Sequence, residues 1–217
     1  MVKPATRPPT RDQRREKIIS VAREVFFEQG YTAASMSSIA ARLGGSKGTL
    51  YNYFKSKEEL FEAQVRDMCG EAADRILEAT GEGEEGEPVA TLTRLGEQYL
   101  QHLFSQQTVK LFRILVAEAQ RSPELARIFY EVGPARGRKG LETYLDKAKS
   151  KGLLEIPDCA LASEQFLTLC KGSTHLQFLL NLIPPLNVEE IRLQVGRAVT
   201  ALMTLYGPKT KPSAPIR

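Results

Sequence analysis

Residues 35–54 read SMSSIAARLGGSKGTLYNYF, and this stretch decides the fold. Ser35 is a good N-cap, followed by apolar residues at Met36, Ile39, Ala40 and Leu43 with helical spacing. Gly44-Gly45 then ends a helix of about two turns. Ser46 caps a second short helix, expected to reach Tyr53. Within it, Leu50 and Phe54 stand four apart and are expected to pack inward against Ile39 and Leu43. Lys47, Thr49, Tyr51, Asn52 and Tyr53 are left for the outer surface, with Gly48 among them. A solvated face rarely interleaves aromatics with hydroxyls and a lysine, whereas base edges, thymine methyls and phosphates suit that mixture.

The flanks fit a compact head. Thr10 or Asp12 caps a helix running to Gln29, with Ile18, Ala22, Val25 and Phe26 on one face and Gly30 as its stop. Downstream, Ser56 and Glu59 form a capping box that opens a longer helix bearing Leu60, Phe61, Val65, Met68, Ala72 and Ile76. Two short helices joined by a glycine pair and preceded by a longer one define a helix-turn-helix. Charge agrees: residues 1–57 carry a balance of +7 within a chain whose total is +4, leaving −3 for 58–217. Phosphate contacts are therefore expected only before Glu58. The basic residues Arg7, Arg11, Arg14 and Arg15 also fit a solvated tail.

The remainder of the 217 residues continues as helices. An acidic, glycine-rich loop is expected over 81–87, then helices over 88–105 and 108–121. A helix starting at Ser122 is expected to break at Gly133-Pro134 and resume to Lys151. Asp158 caps a helix over 159–181, and a last helix spans 188–206. No segment shows strand alternation, so the fold is read as all-α, with an N-terminal helix-turn-helix domain, a larger helical domain and about nine to ten helices. The expected divisions are a flexible basic arm (1–9), a DNA-binding domain (10–57), a larger helical domain (58–206), to which the family resemblance described below assigns ligand binding and dimerisation, and a disordered tail (207–217). No run approaches the ~18 apolar residues of a membrane span, and Met1 to Arg15 lack the apolar stretch of a secretory signal, so a soluble cytoplasmic protein is expected.

The ordered series Gly30-Tyr31, Ser35-Met36, Ile39-Ala40, Ser46 to Tyr51, Tyr53-Phe54, Ser56 to Glu58 and Leu60 resembles, without a gap over residues 12–62, the DNA-binding domain of the TetR family of transcriptional repressors. A later series is similar to the AefR-like group of C-terminal domains: Ala117-Glu118-Ala119, Ser122 to Ala126, Phe129-Tyr130 and Gly133 to Ala135. The first resemblance implies that Ser35 caps the first motif helix while Ser37 faces double-stranded DNA. Ser46 opens the recognition helix, and Lys47, Thr49 and Asn52 meet base edges. Gly48 allows close backbone approach, Tyr51 and Tyr53 meet the sugar-phosphate backbone, and Lys57 meets a phosphate. Gly45 departs from the family, which usually has an apolar residue there; the turn is expected to be softer by about 1 kcal/mol.

The resemblance also implies a homodimer on a palindromic operator and a ligand cavity for an unknown small-molecule effector, of hydrophobic character. For the cavity wall the candidates are His102, Phe104, Phe112, Leu115, Phe129, Tyr130, Phe166, His175 and Phe178. For the dimer interface they are Phe166, Leu169, Cys170, Leu176, Leu180, Ile191, Val195, Val199 and Leu202. The 2 histidines and 3 cysteines lack metal-ligand spacing, so no metal and no cofactor is expected, and no catalytic constellation appears. Redox sensing by Cys159 or Cys170 stays open. The competing reading is a dimeric helical interaction protein whose basic head binds nucleic acid without sequence preference.

Overall fold

The structure, a computed structural model, describes residues 10–81 and 87–208, with the side chains of 71–81 excepted. The arm at 1–9, most of the acidic loop and the tail beyond Pro208 lie outside the described residues. Eleven α-helices and one π-helical turn make up the described chain, with no strand among these residues. They fall into two compact units: residues up to Met68 with Lys110–Phe129, and Cys69–Val109 with Tyr130 onward. The division thus lies inside the helix after Ser56, whereas the sequence puts it after Lys57.

In the first unit, α1 (Arg11–Ala33) is opened by a Thr10/Gln13 capping box and breaks at Gly30, whose φ of 77° is open to glycine at no cost. One further turn follows the break, so the expected stop at Gln29 is a kink instead. The helices α2 (Met36–Leu43) and α3 (Lys47–Tyr51) follow, then α4 (Lys57–Gly81). Its core joins Ile18, Ala22, Val25 and Phe26 to Leu60, Phe61 and Val65. Phe61 meets Phe26 edge-on at 5.1 Å and Tyr31 at 4.9 Å. Arg23 on α1 pairs with Asp67 on α4. The helices α6 (Gln106–Glu118), two residues earlier at its start than expected, and α7 (Pro123–Tyr130) add residues 110–129 to this unit.

The second unit packs α5 (Pro88–Leu103), α8 (Arg136–Ser150), α9 (Cys159–Lys171), α10 (Thr174–Leu179) and α11 (Val188–Tyr206) around one apolar core. The break expected at Gly133-Pro134 is a π turn, Glu131–Ala135, which takes in a proline without ending the helical path into α8. The single helix expected over 159–181 is divided. Gly172, at φ 51°, ends α9, and Gln194 of α11 donates to the carbonyls of Cys170 and Lys171 at 2.5 and 3.0 Å. A long-range amide therefore caps α9 where the sequence shows continuing helical periodicity.

Gly96 lets α5 and α11 approach closely. A Cβ there would lie 2.6 Å from Val195 Cγ1 and 3.4 Å from Cys170 Sγ. Removing a mid-helix glycine gains about 1 kcal/mol of propensity, but forcing a methyl onto a stiff, fully buried valine costs about 1–3 kcal/mol. Gly96→Ala is expected to lower the unfolding free energy of this unit, and Val195→Ala in the same chain to restore part of it, read by urea titration. An unchanged midpoint for Gly96→Ala contradicts the close approach.

Candidate nucleic-acid interface

The head is assembled by caps. Ser35 Oγ accepts from the Ser38 amide and Ser38 Oγ accepts from the Ser35 amide, both at 3.0 Å. Met36, Ile39 and Ala40 turn inward while Ser37 is exposed. Gly44 closes α2 in the left-handed region at φ 68°. Ser46 then caps α3, accepting from the Thr49 amide at 3.1 Å with its hydroxyl 2.9 Å from Thr49 Oγ1. The helix is short because only Leu50, at 0% exposure, and Phe54 just beyond it, at 1%, tie it to the core.

This anchoring turns a definite set of groups outward. Ser46, Lys47, Gly48, Tyr51 and Asn52 are exposed, and Thr49 and Tyr53 are half-buried. Lys47 Nζ lies 6.0 Å from the Tyr51 ring centre, and Tyr51 is 44% exposed. A Cβ on Gly48 would meet only Ser46 Oγ, at 3.8 Å, so nothing within the folded chain requires a glycine. Gly45 is equally open, its nearest neighbour being Leu43 Cδ2 at 3.9 Å. It has no positive φ among the special backbone positions. Gly45→Ala is therefore expected to stabilise the head by about 0.4–1 kcal/mol through the unfolded state, measured by thermal melting, and a destabilised variant would contradict that.

Lys57, expected to meet a phosphate, is half-buried and bonded within the head. Its ammonium donates to the carbonyls of Tyr31 at 2.9 Å and Ala34 at 3.2 Å, and sits 4.2 Å from the Tyr31 ring centre. Two of three donors and the ring face bind it to the end of α1. From the start of α4 it thus caps the end of α1. Tyr31 donates its hydroxyl to Glu58 at 3.1 Å, and burial, reinforced by Glu58, pushes its pKa well up. Other head cations are also engaged: Arg42 forks onto Glu28 at 3.1 and 2.5 Å, and Arg15 lies 5.2 Å from the Phe54 ring centre. The Glu28–Arg42 pair was invisible to local spacing, since it joins residues 14 apart across a glycine break. Part of the head's +7 thus holds the head together.

The cavity candidates are not gathered in either unit. Phe112, Leu115 and Phe129 belong to the first, where Phe112 and Phe129 rings lie 6.0 Å apart. The others belong to the second. There Phe104 sits 5.2 Å from Phe178 and 6.0 Å from His175, whose pKa burial lowers, while His102 Nε2 is 3.3 Å from Thr108 Oγ1. Phe166 is fully buried core and Tyr130 is exposed. The interface candidates divide similarly. Phe166, Cys170, Ile191, Val195, Val199 and Leu202 are packed inside the chain's own core, out of a partner's reach, which corrects that assignment. Leu169, Leu176 and Leu180 are exposed, joined by Leu205 at the end of the α11 stripe and by Leu161, Leu182 and Leu193, which the periodicity reading missed. The three cysteines are free and buried, and burial pushes Cys69 and Cys170 up to about 12 and Cys159 up to about 11. Such thiols stay protonated near neutral pH, which opposes a redox role. Among the described residues no metal-holding cluster occurs and no helix is long and apolar enough to cross a membrane.

A short helix anchored on one side and presenting donors, a ring and an open backbone on the other is the arrangement that reads the DNA major groove, and it defines a helix-turn-helix regulator of transcription. The lineage follows from comparison with known proteins. Residues 18–64 match the bacterial regulatory proteins of the tetR family, and 90–208, more than half of the chain, match the AefR-like transcriptional repressor C-terminal domain; the chain belongs to the TetR family. BetI, an HTH-type transcriptional regulator of Rhizobium meliloti (strain 1021), is 34% identical over 116 residues, which span 53% of this chain and 56% of BetI. The chain thus spans about half the length of that relative. Among solved structures, a protein of Mesorhizobium loti MAFF303099 assigned to the same family superposes with a TM-score of 0.82 at 27% identity, covering 92% of this chain and 100% of that one. The flavonoid-responsive regulator FrrA superposes with a TM-score of 0.74 at 32% identity, with the same coverage.

Proposed function

We propose that this regulator is a homodimeric repressor that holds a palindromic operator and is released from it by a small hydrophobic effector. The observation that carries the reading is the outer face of α3. Lys47, Gly48, Tyr51 and Asn52 are exposed together, and the open space at Gly48 lets a ligand backbone approach. In this reading Lys47, Thr49 and Asn52 meet base edges, while Ser37, Tyr51 and Tyr53 bind the backbone. The exposed leucines of α9, α10 and α11 support the dimer, because a monomer rarely leaves such an apolar face to water. A two-fold pair sets its recognition helices about 34–36 Å apart, matching successive half-sites. The Phe104, Phe178 and His175 cluster supplies aromatic surface with a polar handle, and the likeness to FrrA favours a planar aromatic effector.

Selection of genomic fragments by the purified protein tests the first part. A palindrome bound about 10³-fold tighter than bulk DNA at physiological salt is expected, and no enriched palindrome would sink the repressor reading in favour of non-specific binding. Titration of the operator complex with a flavonoid and with a long-chain fatty acid tests release; operator affinity unmoved by both at saturation would reject it.

A further inference from the structure

The Ala117-Glu118-Ala119 series has no part in the DNA-facing surface, yet its carboxylate reaches the head. Glu118 is the last residue of α6, and its Oε1 accepts from Thr32 Oγ1 at 2.5 Å, across 86 residues of sequence. Charged acceptors make short, strong bonds of this kind. The Glu118 charge is also felt at the neighbouring Tyr31, whose pKa it helps to raise. Another α6 side chain acts on the same end of α1: the Lys110 charge adds to Arg42, the larger influence, in holding Glu28 below the usual carboxylate range.

What Glu118 grips is the joint of the head. Gly30, at φ 77°, kinks α1, and the turn at 31–34 beyond it is tied back by the Ala34 amide, which donates to the Gly30 carbonyl at 3.3 Å. Ser35, the N-cap of α2, follows at once. That turn is held from α4 by Lys57, on the carbonyls of Tyr31 and Ala34, and by Glu58, on the Tyr31 hydroxyl. The hold from α6 is Glu118 on Thr32. Resting on the DNA-reading function proposed above, we infer that Glu118 is a positioning residue for DNA recognition: through Thr32 it sets the pose in which α2 and α3 are presented, without touching DNA.

The test uses the full-length dimer, a palindrome selected by the wild-type protein, and random-sequence DNA as competitor, across a series of salt concentrations. Thr32→Val, which exchanges the exposed hydroxyl for a methyl, and Glu118→Ala are each expected to lower the operator-over-random ratio about tenfold. The double variant is expected to fall no further than the singles, since both remove one bond. Thr32→Ser, which keeps the hydroxyl, is expected to retain the wild-type ratio. The slope of log affinity against log salt should stay unchanged in all of them, because a lost phosphate contact lowers it by about 0.9. Circular dichroism checks that helix content is kept, and if Glu118→Ala fails to fold, the Thr32 pair alone decides. Ratios within about twofold of wild type, losses that multiply in the double variant, or a slope reduced in Thr32→Val would each overturn the inference. A wild-type protein that shows no preference overturns this inference and the repressor reading together; variants that discriminate like a discriminating wild type overturn only the role of Glu118.

Discussion

Replacing Leu176 and Leu180 together by glutamate is expected to turn the protein into a monomer and to weaken operator binding by about a hundredfold or more. Leu176 lies on α10 and Leu180 caps its C-terminal end, 59% and 60% exposed in the single chain, and Leu169 of α9 and Leu193 of α11 are 42% and 57% exposed. Burying a leucine against a partner gains about 1.5–3 kcal/mol. A carboxylate in the same place loses that gain and adds the cost of burying an unpaired charge. Four such sites, two from each subunit, exceed what a typical interface has to spare. The monomer keeps its own core, because Ile191, Val195, Val199 and Leu202 are untouched. Its single head then reads one half-site, and the advantage of two linked heads disappears. Sedimentation velocity with operator titration on the same sample checks this. A dimer with full affinity would show that this face is not the interface.

Leu50→Ala is expected to abolish specific binding by a different route, through loss of the recognition helix itself. Five residues make up α3, far below the about 12–15 that a helix needs alone in water. Its order comes from Leu50 and Phe54, both essentially without solvent exposure. Removing the leucine side chain should cost the head about 2–5 kcal/mol, enough to free α3 at marginal stability. Operator affinity should fall by about two orders of magnitude, by the same free-energy conversion. The second unit, whose core contains none of these residues, should keep its helices in far-ultraviolet circular dichroism. Lys47→Ala is the contrast: the side chain is exposed, so melting should be unchanged while specific binding weakens. If Leu50→Ala bound as tightly as wild type, the buried anchor would not be what orders α3.

Both expectations differ in how far the sequence foreshadows them. Leu50 and Phe54 were legible as inward residues because the helical period and the caps at Ser35 and Ser46 are local, and local chemistry suffices over two short helices. The exposed apolar face proposed for the dimer was not. On α11 the longest regular stripe, Ile191 to Leu202, is the one turned into the chain's own core, while Leu193 on the other side and Leu205 near the helix end stay in water. Periodicity reports that a helix has an apolar stripe but not what covers it, and here the neighbour across the stripe is α5, brought close by the missing Cβ of Gly96. The division of the expected 159–181 helix has the same origin, since Gln194 takes the carbonyls that continuing the helix would have used.

By itself, the sequence determined the all-α class, the order of the head helices and the outward set on α3, because caps, glycine stops and a 3.6-residue period act within a few residues of one another. Only the tertiary structure decided that Lys57 caps the end of α1, that Glu118 holds Thr32, and which leucines remain uncovered. Those outcomes depend on pairs brought together from 23 to 86 residues apart, where side-chain type alone leaves several partners equally acceptable and packing selects one.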